Sequence, residues 1–255
     1  MTTTAGGMNG AAPADAGIKA LDPFGARIVA DAQQIIGRYP RPQSALLPLL
    51  HLVQSVEGYV SQDGIAFCAG QLGLTTAEVS AVATFYTMYK RRPCGEHLVS
   101  VCTNTLCAAL GGDAIYARLS EHLGVGHNET AGEPGAAGSI TLEHAECLAA
   151  CDLGPVLQVN YEYYDNQTED SALGLVQALR RGERPVPTRG APLTSLRDVS
   201  RQLAGFFDGK ESDVDAPSAA AETLRGARLA NERGWTAPVM PDDAPLPPVP
   251  EKKKP

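Results

Sequence analysis

The chain has 255 residues, 44% of them hydrophobic, enough to bury one or two cores of ordinary size. A formal net charge of −8 leaves nothing to neutralise a row of phosphates, which argues against nucleic acid as a partner. No apolar run approaches the ~18 residues that cross a bilayer, and the start MTTTAGGMNGAAPADAG lacks the basic head and apolar centre of a secretory signal.

Residues 1–20 are Ala, Gly and Thr with little to bury and read as a disordered N-terminus. Asp22 before Pro23 supplies an N-cap with proline at the first helical position, and Ile28, Ile35 and Ile36 line the helix that follows. A second helix over residues 43–57 is expected to stop at Gly58. Ser61 opens a third, with Ile65, Phe67, Cys68 and Leu72 for the core and Gly73 to close it. Thr75-Thr76-Ala77-Glu78 has the capping-box pattern and opens a fourth helix through Val79, Val82, Phe85, Tyr86 and Tyr89. Residues 21–93 thus read as a four-helix domain.

The pattern changes at Arg91-Arg92-Pro93. Residues 94–184 read as a strand (97–102), a helix (107–123), a connection holding Gly126, Gly132, Gly135 and Gly138, and a strand near 139–145. Strands at 156–160 and 161–165 and a helix over 169–181 follow. A helix after the first strand, a hairpin and a closing helix predict a thioredoxin-like α/β layer, so the whole chain is classed α+β. Residues 185–255 hold 11 of the 19 prolines, which excludes an ordinary packed domain and predicts an irregular extension. Two amphipathic islands (196–207 and 224–229) and the only tryptophan, Trp235, space apolar side chains along it. That spacing predicts a strap that folds against a neighbouring subunit.

Chemistry concentrates in HLVSVCTNTLCAAL and ECLAAC. The apolar run Leu98–Val101 delivers Cys102 to the end of a strand, Cys107 falls where a helix begins, and Cys147 and Cys151 form a second close pair. Without export, paired disulfides are disfavoured, and the cysteines point to metal or redox chemistry. A 2Fe-2S cluster takes four thiolates, two on each iron, and C-x4-C with C-x3-C loops bring the sulfurs together in twos. Thr103, Asn104 and Thr105 suit a loop whose amides turn toward the sulfurs, and a helix N-terminus favours thiolate at Cys107. Three other readings stand beside this one: a zinc site, although zinc knuckles are commonly C-x2-C; a thiol–disulfide oxidoreductase, which wants C-x-x-C; and four inert core cysteines. Cys68 reads as core and Cys94 is unassigned. No G-x-G-x-x-G joins a strand to a helix, since Gly132, Gly135 and Gly138 precede a strand. His97, His144 and Asn104 form no acid–base constellation, so no catalytic residue is expected in this chain.

The stretch GYVSQDGIAFCAGQLGLTTAEVSAVATFYTMYKRRPCGEHLVSVCTNTLC, followed by ECLAACDLGPVLQVNYEYYDNQT, resembles the family of E-type subunits of bacterial NADH-quinone oxidoreductase, respiratory complex I. The mitochondrial counterpart is the 24-kilodalton-type subunit, and the likeness covers residues 24–185. The resemblance implies a helical domain joined to a thioredoxin-like domain carrying one 2Fe-2S cluster on Cys102, Cys107, Cys147 and Cys151. It implies an electron-transfer subunit bound to a flavin- and NADH-binding subunit and to the large iron–sulfur subunit, with FMN and NADH on the partner. The location implied is cytoplasmic, peripheral to the inner face of the cell membrane through the complex, without membrane insertion. The same family includes diaphorase subunits of NAD-linked hydrogenases and formate dehydrogenases. A stand-alone thioredoxin-like ferredoxin or a zinc-binding module is the other alternative. One departure is Ala149, where the family commonly has glycine; if that position needs positive φ, Ala149 implies local strain or an altered loop.

Overall fold

A computed structural model describes residues 24–239, so the disordered N-terminus and the Asp22-Pro23 cap expected from sequence lie outside the described residues. The first helix, α1 (Ala26–Ile36), starts instead from Gly25. A 3-10 turn at Pro42–Ala45 leads into α2 (Leu46–Glu57), which ends at Gly58 with φ 81°. Ser61 Oγ accepts from the amide of Gly64 and opens α3 (Gln62–Leu72), closed by Gly73 at φ 65°. The capping box of Thr75 and Glu78 opens α4 (Thr76–Phe85). These helices surround one apolar cluster that includes Ile35, Leu49, Leu50, Val53, Phe67, Cys68 and Val79.

The fourth helix stops at Phe85 rather than running through Tyr89. The reason lies 34 and 36 residues back along the chain, at Gln54. Gln54, fully buried on α2, donates to the carbonyl of Met88 (3.1 Å) and accepts from the amide of Lys90 (2.7 Å). Lys90's carbonyl in turn accepts from the amide of Val60 (2.6 Å), so these backbone groups are bound elsewhere and not to a helix.

A five-stranded sheet follows, in the order β2-β3-β1-β4-β5. β1 (His97–Cys102) runs parallel to β3 (Ile140–Ala145), while β2 (Glu129–Ala131), β4 (Leu157–Val159) and β5 (Glu162–Tyr164) pair antiparallel. The hairpin between β4 and β5 turns on Asn160 and Tyr161, both at positive φ. No strand is expected from sequence at β2, whose three residues are too few to show alternation. The single helix expected over 107–123 is in fact two, α5 (Thr105–Ala109) and α6 (Gly112–Leu123), broken at Gly111 with φ 111°. Thr168 caps α7 (Glu169–Arg180).

Strand alternation sorts the sheet into two faces. Val99, Val101, Ile140, Leu142, Leu157 and Val159 pack against Ile115 and Leu119 of α6 and Val176 and Leu179 of α7. The opposite face carries Leu98, Ser100, Thr141, Glu143 and Tyr163. There Ser100 Oγ donates to Glu143 Oε1 (2.6 Å) and Lys90 Nζ pairs with Glu143 Oε2 (2.5 Å), joining the helical part to the sheet.

The extension is less irregular than its prolines suggest. Residues 185–218 belong to the same compact unit as the rest, and α8 (Leu196–Leu203) lies against α2. Leu193 joins the sheet-side core, Leu196 packs with Cys94 and Leu98, and Ala204 and Phe206 join the helical core. Most of the first apolar island is therefore packed into this chain's own clusters, while Leu203 stays 42% exposed. Residues 219–239 fall in a second unit, where α9 (Arg225–Glu232) buries no residue and Trp235 is 59% exposed under Arg233.

Candidate metal centre

All four cysteines singled out by spacing arrive at one place. Cys102 is the last residue of β1, its amide bound to the carbonyl of Val156 (3.1 Å). Thr103 continues the ladder to the carbonyl of Ala145 (3.1 Å) before the chain turns. Asn104 then caps α5, its side-chain oxygen accepting from the amide of Thr105 (2.9 Å), which puts Cys107 in the first turn. Parallel pairing sets Cys102 beside Ala145, so the chain leaving β3 enters the Cys147–Cys151 loop next to the first pair. Cys147 Sγ and Cys151 Sγ are 3.5 Å apart. Cys107 is within hydrogen-bonding reach of Cys102 and feels the charge of Cys151, so the two pairs share one neighbourhood.

The two halves differ in exposure. Cys102 and Cys107 are each 2% exposed, whereas Cys147 and Cys151 are open to solvent. Burial first, then the neighbouring Cys102 and Cys151, pushes the Cys107 thiol up to about 11. A helix-terminal preference for thiolate at Cys107 is thus overridden, because five residues make a short dipole and the sulfur is buried. Cys151 is raised by its hydrogen bond to Cys147 and by that residue's charge. Cys107 and Cys151 thus resist ionisation beside other sulfurs, and a cationic group bound among them would stabilise their thiolate forms.

Amides do turn toward the sulfurs, but not those of the Thr103–Thr105 loop. The amide of Ala149 donates to Cys147 Sγ (3.4 Å) and that of Val156 to Cys107. Thr103 and Thr105 have theirs committed to the ladder and to the cap. Ala149 makes its contact from φ 57°, so the strain anticipated from its sequence is present.

Three residues of the site escaped the sequence. Gly112, the first residue of α6, leaves no room for a side chain: a Cβ there would lie 2.4 Å from the carbonyl oxygen of Cys102 and 2.9 Å from that of Cys107. Gly154 passes so close that a Cβ would sit 3.3 Å from Cys107 Sγ. Glu146 accepts from Asn104 Nδ2 (2.8 Å) and ties the two cysteine loops together. No signal short of the folded contacts marks them, although Gly111-Gly112 inside a helical pattern is a visible irregularity.

The remaining polar candidates are structural. His97 is buried, held by Asn160 and near Glu96 (3.5 Å), and burial lowers its pKa. His144 stacks on His127 with ring centres 4.0 Å apart and meets the edge of Tyr116. Cys68 lies in the helical core, where burial raises it to about 12, and Cys94 fills the joint with Leu98 and Leu196. Among the described residues no group of three or more His, Cys, Asp or Glu side chains is arranged around a single metal ion; the thiols stand in two pairs. Nor is any single helix among them long and apolar enough to cross a membrane.

Comparison with known proteins agrees with this geometry. The family described as Thioredoxin-like [2Fe-2S] ferredoxin matches residues 32–180. The E-type subunit of the NADH-quinone oxidoreductase of Mycobacterium tuberculosis (strain ATCC 25618 / H37Rv) is 56% identical over 216 residues, covering 85% of this chain and 84% of that protein. The mitochondrial NADH dehydrogenase [ubiquinone] flavoprotein 2 of Dictyostelium discoideum is 34% identical over 191 residues, 72% of this chain and 71% of that one. Among solved structures, the NAD+-reducing [NiFe]-hydrogenase in the air-oxidized state gives a TM-score of 0.47 at 15% identity, over 53% of this chain and 23% of that chain.

Proposed function

The chain belongs to the thioredoxin-like 2Fe-2S ferredoxin family, and from that premise we propose that it is the E-type electron-transfer subunit of an NADH-quinone oxidoreductase. One observation carries the reading: four free cysteines from three separate elements converge in two pairs, the arrangement a cluster with two irons requires. The proposed ligands are Cys102 and Cys107 on one iron and Cys147 and Cys151 on the other. When bound, the cluster takes up and passes on one electron at a time.

The chain's own residues do the rest. β1 and α5 fix the buried pair, and Gly112 and Gly154 let backbone pass close enough to shut water out behind it. Hydrogen bonds from Ala149 and Val156 stabilise charge on the sulfurs. The second pair is the exposed edge, the side a partner can approach. Leu106 and Leu110, which flank Cys107 on α5 and at its C-cap, are 45% and 53% exposed, an apolar rim that docking would dry. NADH oxidation and the flavin belong to that partner, with the large iron–sulfur subunit of the same complex as a second neighbour. The complex would hold the chain at the inner face of the cell membrane. We assign a helical domain to 21–93, the cluster domain to 94–184 and the extension to 185–255, of which residues 219–239, with exposed Trp235, remain as the docking strap.

The test is spectroscopic. Anaerobically purified protein is expected to hold two irons and two sulfides per chain and to give a paramagnetic signal after dithionite. It should be inert to NADH until the flavoprotein partner is added. Stoichiometric zinc in place of iron, or NADH oxidation by flavin-free single chain, would sink the proposal.

A further inference from the structure

We propose that Tyr163 is a positioning residue for the cluster, aiming one backbone amide at Cys147, and that Arg189 of the C-terminal segment holds Tyr163 in place. The inference rests on the reading of Cys147 as a cluster ligand. Tyr163 lies on β5, on the sheet face away from α6 and α7, and its hydroxyl donates to the carbonyl of Leu148 at 2.7 Å. That carbonyl shares a peptide plane with the amide of Ala149, the donor to Cys147 Sγ at 3.4 Å. A peptide unit is rigid and its C=O and N–H point opposite ways. Anchoring the oxygen of Leu148 therefore fixes the direction of the hydrogen bond that reaches the sulfur.

The anchor is itself braced. The Arg189 guanidinium stands 4.0 Å from the centre of the Tyr163 ring. Its Nε and Nη2 donate to Asp165 Oδ2 (2.9 Å) and Oδ1 (3.1 Å), a fork-to-carboxylate pair with side chains only 10% and 6% exposed. Thr188 completes the brace, its amide bound to the carbonyl of Tyr163 (2.9 Å) and its hydroxyl to Asp165 Oδ2 (2.7 Å). A segment bridged antiparallel to β5 at Tyr163–Arg189, and far from the cysteines in sequence, thus reaches one of them through a ring and a single peptide. Hydrogen bonds to a cluster's sulfurs raise its reduction potential, so this relay bears on redox tuning as well as on retention.

The experiment is a redox titration followed by paramagnetic resonance on the full-length, cluster-loaded chain. Tyr163→Phe keeps the ring under Arg189 and removes only the hydroxyl. We expect a more negative midpoint potential and cluster loss to a chelator faster by about tenfold, the scale of removing an outer partner of a metal site, with an unchanged thermal unfolding midpoint. Arg189→Lys should move both readouts the same way by less, and adding it to Tyr163→Phe should change nothing further if it acts through the ring. An unaltered potential and loss rate in Tyr163→Phe would overturn the relay, and additive effects in the double variant would remove Arg189 from it. If wild type itself gave no 2Fe-2S signal, the reading of the site would fail instead.

Discussion

Cys102 and Cys107 are held by a strand end and a helix, buried at 2% exposure, with their loop amides committed to the ladder and the cap. Cys147 and Cys151 ride an exposed loop whose shape depends on one strained residue and on side chains sent from elsewhere, Asn104 among them. The first pair is placed by the same forces that fold the sheet, so losing it should damage the fold and the cluster together. The second pair is placed by a few polar contacts at the surface, which suits an edge that must meet a partner. Position comes from one half of the site and access from the other.

The strongest way to break the comparison is to remove a sulfur. Serine at Cys102, Cys107, Cys147 or Cys151 is expected to abolish or badly destabilise the cluster, read as lost visible absorbance and lost paramagnetic signal. Serine at Cys68, buried in the helical core, should leave the signal intact. The halves should then separate by stability. Serine at the two buried positions places a hydroxyl among apolar neighbours and lowers the unfolding midpoint of the metal-free chain, whereas serine at the exposed positions should not.

Next in size is Gly112→Ala. Its methyl would press on the Cys102 carbonyl, and forced overpacking of this kind costs about 1–3 kcal/mol. A lower urea midpoint with less than one cluster per chain is expected. Gly174→Ala on α7, where a Cβ meets nothing within 4 Å, is the control and should stabilise by about 0.5–1 kcal/mol. If both behave alike, the close approach at Gly112 is not what shapes the buried half.

Much of this was legible in advance, and the failures have a common cause. The apolar run Leu98–Val101 placed β1, capping residues placed α3 and α4, and pair spacing picked out all four thiols. Each of those signals is local. What stayed hidden depends on residues distant in sequence: the end of α4 on Gln54, the glycine at 112 on the carbonyl of Cys102, the loop tie on Glu146 and Asn104. The extension misled for the opposite reason. Its prolines are a local sign of irregular chain, yet Leu193 and Leu196 join two different apolar clusters and Ala204 and Phe206 join a third.

A metal-free preparation sharpens the contrast without mutation. At pH 8 an alkylating reagent should modify Cys147 and Cys151 first, since both are open to solvent. Cys102 and Cys107 should lag by at least about tenfold, because burial limits access and holds Cys107 as the unreactive thiol. Peptide mapping over time reads the order directly. Equal rates at all four positions would mean that the buried half opens when the metal is gone.

The smallest effect concerns the strained residue of the exposed loop. Ala149 at φ 57° costs about 1–2 kcal/mol relative to a right-handed conformation, a cost glycine does not carry. Glycine also gives the unfolded chain more freedom, which takes back about 0.4–1 kcal/mol. The difference favours Ala149→Gly by roughly 0.5–1 kcal/mol, or about two- to fivefold in the rate of cluster loss to a chelator. The amide at 149 survives the change, so its hydrogen bond to Cys147 and the shape of the paramagnetic signal should persist. Ala149→Val tests the sign from the other side, since a β-branched residue tolerates positive φ worse than alanine, and it should shed its cluster faster than wild type. Faster loss in Ala149→Gly would show that this loop needs stiffness more than it needs relief from strain, and the exposed half would then be held as firmly by alanine as the buried half is by its strand.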